Sequence, residues 1–192
     1  MLGVVIAGVC LVALLALGFL RGDAHRWSGS TLPNGSGAPA LAGLHDITGA
    51  SLDLDDGVTL LYFGYTDCVD VCPVVLSTAA SAIRSVDAGA GRDEIAVAMV
   101  SVDVEADPLE RLDEYVRAFD PGFVALGGSQ EAVDVAATLY GVFHHELERG
   151  ELGRPLIDHT STLVAIVDGD IRVVWGPEVT PTDMATDLAE LL

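Results

Sequence analysis

The sequence contains no lysine. Its basic side chains are nine arginines set against 29 aspartates and glutamates, giving a formal charge of −20. Nucleic acids are held by Lys and Arg that neutralise phosphates, so this balance excludes a nucleic-acid partner. It also repels anionic lipid headgroups. Self-repulsion on this scale destabilises a folded chain unless salt screens it. A high-salt habitat, or a codon bias toward Arg, Asp, Ala, Gly and Val, accounts for the composition equally well. Cysteine is scarce too: there are three, and Cys10 lies inside an apolar amino-terminal run. Cys68 and Cys72 remain, and such near neighbours close no long loop, so no disulfide framework staples the fold. They are placed for redox chemistry or for holding a metal. No internal repeat is visible.

Leu2 to Leu20 is an almost unbroken run of Leu, Val, Ala, Ile and Gly without a charge. At about 1.5 Å per residue, such a run just crosses a hydrocarbon core of roughly 30 Å. Residues 1–20 therefore read as one transmembrane anchor. A cleaved signal peptide is the rival, although its apolar region is usually shorter. Arg21 and Arg26 follow the run and nothing basic precedes it, a weak bias toward a cytoplasmic domain. Residues 21–40, rich in Gly, Ser, Pro and Asn, read as a flexible linker. Residues 41–192 are enough for one domain with its own core.

Within that domain, strands and helices alternate. Leu44–Thr48 and Ser51–Leu54 look like short strands around a Gly49 turn. Val58–Tyr65 is a buried strand, Val71–Val86 a helix with Pro73 in its first turn, and Ile95–Val102 a second buried strand. Leu109–Phe119 has helical spacing, with Asp107-Pro108 as cap and first-turn proline. Phe123–Leu126 is a strand, and Ser129–Tyr140 a helix capped by Ser129. Val142–Leu147 with Leu156–Ile157, and Thr162–Val167 with Ile171–Trp175, suggest two hairpins. Thr180–Leu192 closes the chain as a helix. This order predicts an α/β fold, a thioredoxin-like sandwich with a central mixed sheet.

The segment Tyr62-Phe63-Gly64-Tyr65-Thr66-Asp67-Cys68-Val69-Asp70-Val71-Cys72-Pro73 runs from a buried strand through a loop to a helix start. Unpaired N–H groups and partial positive charge there favour thiolate, the reactive and metal-binding form. The i, i+4 spacing lets both sulfurs face one site. They can close a disulfide or grip a soft ion such as Cu(I) or Zn. Two thiolates leave a ligand position open. Of the five histidines, His25 falls in the linker and His45 in a surface strand. His144 and His145 face opposite sides of a strand, so one of them is a candidate. His159 precedes the strand that should border the helix start and is the stronger candidate. Its second ring nitrogen needs an acceptor, Asp158 or a nearby carbonyl.

The run Leu60-Leu61-Tyr62-Phe63-Gly64-Tyr65-Thr66-x-Cys68-x-Asp70-x-Cys72-Pro73 resembles the signature of the Sco/SenC family. Val100-Ser101-Val102-Asp103, the Leu109–Phe119 helix and Asp158-His159-Thr160 are similar to later family segments and come in the same order. The resemblance implies a copper-binding, thioredoxin-fold protein that helps assemble the binuclear copper centre of cytochrome c oxidase. It implies that Cys68, Cys72 and His159 bind copper as Cu(I), Cu(II) or both. It further implies a copper chaperone held at the cell membrane by a single span, with its domain on the extracytoplasmic side. The partner so implied is the copper-binding subunit of a terminal oxidase. Two positions depart from the family pattern: Val69 stands where proline is usual, and Val104 follows Asp103 where proline is usual.

The same dithiol can instead reduce a disulfide on that subunit, making the protein a thiol–disulfide oxidoreductase. A peroxiredoxin-like peroxidase fits less well, because Asp67 and Asp70 crowd the short C-x3-C loop and oppose thiolate formation.

Overall fold

Strand β2, Val58–Gly64, is buried at every position, which follows from an apolar run with no polar face to offer water. The computed structural model describes residues 25–33, 35–86, 91, 94–146 and 157–192. Its main sheet is six-stranded and mixed. The strands are β1 (Ser30–Thr31), β2, β3 (Ile95–Ser101), β4 (Val124–Leu126), β7 (Leu163–Val167) and β8 (Asp170–Trp175), in the order β1-β8-β7-β2-β3-β4. β2, β3 and β4 run parallel, with Tyr62 opposite Met99 and Gly64 opposite Ser101. β7 is antiparallel to β2, with Leu163 opposite Tyr62. Parallel neighbours need crossovers, supplied by α1 (Val71–Ser85) and α2 (Leu109–Arg117). α3 is Gln130–Leu139 and α4 is Pro181–Leu191; α1 and α4 pack on each other. The expected α/β fold with a central mixed sheet is what the chain forms.

Caps and turns set several boundaries. Ser129 accepts from the N–H of Ala132 at 3.2 Å and Thr180 from that of Asp183 at 3.2 Å, opening α3 and α4. Asp168 and Gly169 both have positive φ, 49° and 78°, and turn β7 into β8.

Three expectations are corrected. Leu44–Thr48 and Ser51–Leu54 are not strands. The Asp46 carboxylate accepts from the backbone of Thr48 at 2.8 Å and of Ala50 at 2.9 Å, folding the chain into a turn. Only His45 keeps a bridge, to Gly127. The stretch expected as a flexible linker is partly folded onto the domain. Ser30 and Thr31 pair with Val174 and Val173 of β8, and Trp27 and Ala38 pack against the core. Asp107 does not cap α2, whose N-cap is Pro108; its carboxylate is engaged elsewhere.

Asp187 explains the folding of the segment around residue 28. This buried carboxylate on α4 accepts from Trp175 Nε1 at 2.8 Å, from the N–H of Ser28 at 3.0 Å and from the Ser28 hydroxyl. His25 Nε2 lies 2.7 Å from its other oxygen. Burial alone would raise its pKa, but the bonds from Ser28, Trp175 and His25 prevail and hold it below the usual carboxylate range. The expected transmembrane helix 1–20 lies outside the described residues. Among the described residues, no helix is long and apolar enough to cross a membrane.

Candidate metal centre

β2 delivers the chain at Gly64 to a short loop that ends where α1 begins. A side chain at Gly64 would not fit. A Cβ there would lie 2.7 Å from Tyr62 Cε1, 3.0 Å from Cys72 Sγ and 3.0 Å from Met99 Cε. Glycine thus lets the Cys72 sulfur sit against the strand. At the helix start Asp70, the N-cap residue, makes no side-chain cap. Cys68 Sγ accepts the N–H of Cys72 instead, at 3.3 Å. The sulfur therefore occupies the place an Asp or Ser oxygen usually takes.

Behind the loop stands Asp107. Its carboxylate accepts from the N–H of Thr66 at 2.8 Å, from the Thr66 hydroxyl, and from the Ser101 hydroxyl at 2.6 Å. Arg111 reaches from α2 to Asp67 Oδ1 at 2.6 Å and to the carbonyl of Ala106 at 2.9 Å. The residues that precede Cys68 are thus fixed to β3 and to the start of α2.

His159 arrives from a separate ribbon. β5, His144–Glu146, pairs antiparallel with β6, Ile157–His159, so the histidine ends a strand rather than lying in a free loop. Nδ1 lies 3.2 Å from the carbonyl of Thr160, the nearby-carbonyl alternative to Asp158. That bond places the proton on Nδ1 and leaves the Nε2 lone pair free. Nε2 points at Cys72 Sγ, 3.5 Å away. The rings of Tyr65 and Tyr62 meet the imidazole edge-on, with centroids 5.7 and 6.2 Å from it. Tyr62 Oη is buried with no hydrogen-bond partner among the described residues.

The two sulfurs and the imidazole nitrogen all lie within 4.8 Å of one another, and they form the one such group found among the described residues. All three expected ligands are therefore brought together. His144 is not among them: its Nε2 lies 3.2 Å from Asp134. His45 is exposed, and His25, read as part of the linker, is bound to Asp187. Both cysteines are free thiols. Cys68 is drawn down to about 4, first by the thiol of Cys72 that donates to it and then by the backbone N–H groups of Cys72 and Asp70; burial opposes. Cys72 is pushed up, because it holds the shared proton and is buried. The pair carries one thiolate at neutral pH. Two soft sulfurs and one imidazole suit Cu(I) or Zn(II), and among the described residues no fourth ligand joins them.

The sequence signal for Cys68 and Cys72 was local, and His159 followed from strand order. Asp107 was missed as a support because an Asp before Pro reads as a helix cap. Tyr62 and Tyr65 lie in the family-like run, but nothing in the sequence places their rings against His159.

The sequence model of the family described as SCO1/SenC matches residues 45–192. The human mitochondrial SCO1 homolog is 30% identical over 131 residues, 68% of this chain. The matched part is 44% of that protein, so the chain spans less than half the length of this curated relative. The solution structure of apo Sco1 from Thermus thermophilus superposes with a TM-score of 0.76 at 34% identity, covering 88% of this chain and 98% of that one. Arabidopsis thaliana ScoI, crystallised with copper bound, gives 0.73 at 26% identity, covering 81% and 97%. These likenesses bear out the thioredoxin-like fold. With the family model matching most of the chain, and with Cys68, Cys72 and His159 gathered at the helix start, the chain belongs to the SCO1/SenC family.

Proposed function

We propose that Cys68, Cys72 and His159 bind copper, and that the protein hands it to the binuclear copper site of a terminal oxidase subunit. The observation that carries this reading is the convergence of two sulfurs and one Nε2 within 4.8 Å. Cargo held by three ligands keeps an open side, so an incoming thiolate or imidazole can bind before a resident ligand leaves. Copper then passes between proteins without entering water. The apolar run Leu2–Leu20 supports a single membrane span; the extracytoplasmic side for the domain rests on the family resemblance and runs against the weak bias of Arg21 and Arg26.

One observation favours a second role. Cys68, with its pKa near 4, is a thiolate poised at a helix start. As a reductant, Cys68 would attack a disulfide sulfur of the target to form a mixed disulfide. Cys72, once deprotonated, would then attack Cys68 Sγ, leaving a Cys68–Cys72 disulfide and a target dithiol. Two electrons pass to the target. The two roles are compatible, since delivery needs reduced cysteines on the receiver.

The test is anaerobic copper titration of the full reduced chain in detergent, beside Cys68→Ser, Cys72→Ser and His159→Ala. The expected result is one copper per chain. Each variant should lose more than the roughly 10- to 100-fold that removal of an outer partner costs. No tight binding by the wild type, with cysteines that still cycle between thiol and disulfide, would leave the oxidoreductase alone.

A further inference from the structure

Two large apolar side chains stand in water beside the metal group. Val69, between the cysteines, is 87% exposed, and Phe143 is 80% exposed. Neither sits on a loose end. Val69 is bracketed by Cys68, which lies under the loop, and by the first turn of α1. Phe143 is held to the residue after His159 twice: its N–H donates to Thr160 Oγ1 at 3.2 Å, and its carbonyl accepts from the N–H of Thr160 at 2.9 Å. Phe143, His159 and Thr160 line one surface cavity. Val69 thus stands between the two sulfur ligands in the chain, and Phe143 shares a surface cavity with the third ligand, so an exposed apolar group adjoins each part of the metal group.

The surrounding charge selects the occupant. Asp67 and Asp70 share the Val69 loop, and Asp134 sits beside His144, next to Phe143 in the chain. Arg111, on the other side of the loop, is bound to Asp67. A second copy of this chain would bring another −20, and anionic lipid would also be repelled. A protein with basic groups around an apolar spot would be attracted.

We propose that Val69 and Phe143 are the two apolar contacts of a docking face for a metal-receiving protein domain whose own site opens on an apolar spot ringed by Lys or Arg. The assignment rests on the copper-delivery reading and adds to it which side chains choose the receiver. Neither residue is a ligand, so docking and binding are separable.

The experiment uses the full chain in detergent, loaded with Cu(I), and the double variant Val69→Ser/Phe143→Ser. The probe is the reduced soluble domain of an oxidase subunit with a binuclear copper site; a small Cu(I) chelator serves as the control acceptor. The double variant should keep one copper per chain and lose it to the chelator at the wild-type rate. It should pass copper to the domain about tenfold more slowly or worse. Wild-type transfer should slow between about 50 and about 500 mM salt. Unchanged transfer to the domain, or equal slowing toward the chelator, would overturn the docking face while leaving delivery standing. A wild type that complexes the domain through these residues yet passes no copper keeps the face and overturns delivery. Dimerisation, or binding to phosphatidylcholine vesicles, that the double variant loses would assign the face to a second copy or to lipid and overturn the protein partner.

Discussion

Asp107→Asn should loosen the cysteine loop without touching a ligand. The Asp107 side chain is 1% exposed and accepts three hydrogen bonds, two from Thr66 and one from Ser101. Asparagine keeps the shape but removes the charge and turns one acceptor into a donor. A hydrogen bond to a charged group contributes about 1.5–3 kcal/mol, against about 0.5–1.5 for a neutral one. The hydroxyls of Thr66 and Ser101 can rotate to meet an amide, so the three bonds weaken rather than vanish. At about 1–1.5 kcal/mol per bond the loss is about 3–4.5 kcal/mol. For a domain of this size that lowers Tm by roughly 6–18 °C. Thermal unfolding of the reduced protein, followed by circular dichroism, measures it. The loop should also open more often, so Cys68 should react faster with a disulfide reagent, and copper affinity should fall. Arg117→Ala is the control, since Arg111 also pairs with Asp107: the Arg117–Asp113 pair is half exposed and should contribute less than about 1 kcal/mol. A variant with Tm within about 1 °C of wild type and unchanged thiol reactivity would refute the view that Asp107 positions the loop.

Asp187→Ala strands the buried Trp175 Nε1 and frees Ser28, at a cost of about 2–4 kcal/mol. Limited proteolysis should then cut ahead of β1 more readily. In the wild type the Asp187 carboxyl is held below its unfolded value of about 3.9, so its stabilisation is present above pH ~4 and is lost as pH falls through the lowered pKa. Asp187→Asn should flatten that acid limb in denaturation curves; an unchanged limb would count against it. Gly64→Ala drives a methyl into Tyr62, Cys72 and Met99, and should cost about 1–3 kcal/mol together with copper affinity, read by urea unfolding and by titration. Because the thiol pair carries one proton at neutral pH, its contribution to copper affinity should rise about tenfold per pH unit between about pH 5 and 8. His159→Ala isolates that slope in a competition assay, and a hundredfold change per unit would show both thiols protonated.

The cysteine loop was readable because its determinants are adjacent in the chain: an apolar strand, a turn, a helix start with Pro73. His159 needed one further step, the order of strands, which alternating apolar runs encode well. Other misreadings share a cause. Asp107 and Asp46 use carboxylates to bind backbone, and a sequence shows neither where such a bond goes nor how it competes with a strand or a cap. The segment around residue 28 has the composition of a tether. An edge strand as short as Ser30–Thr31 needs only backbone, and the residue that secures the segment, Asp187, lies far along the chain.

That latch sets a length. Ser30 pairs with Val174, Val174 with Val164 and Val164 with Leu61, and β1 runs antiparallel to β2, so the residues before Ser30 lead toward the end of the sheet that carries the metal group. Twenty free residues after the proposed span would let the domain wander over some 65–70 Å of extended chain. Folding from residue 25 onward leaves about four residues, near 14 Å. The domain would then work as a short-leashed carrier, with its metal-bearing end close to the bilayer. Only receivers whose sites stand near the membrane surface would come within reach.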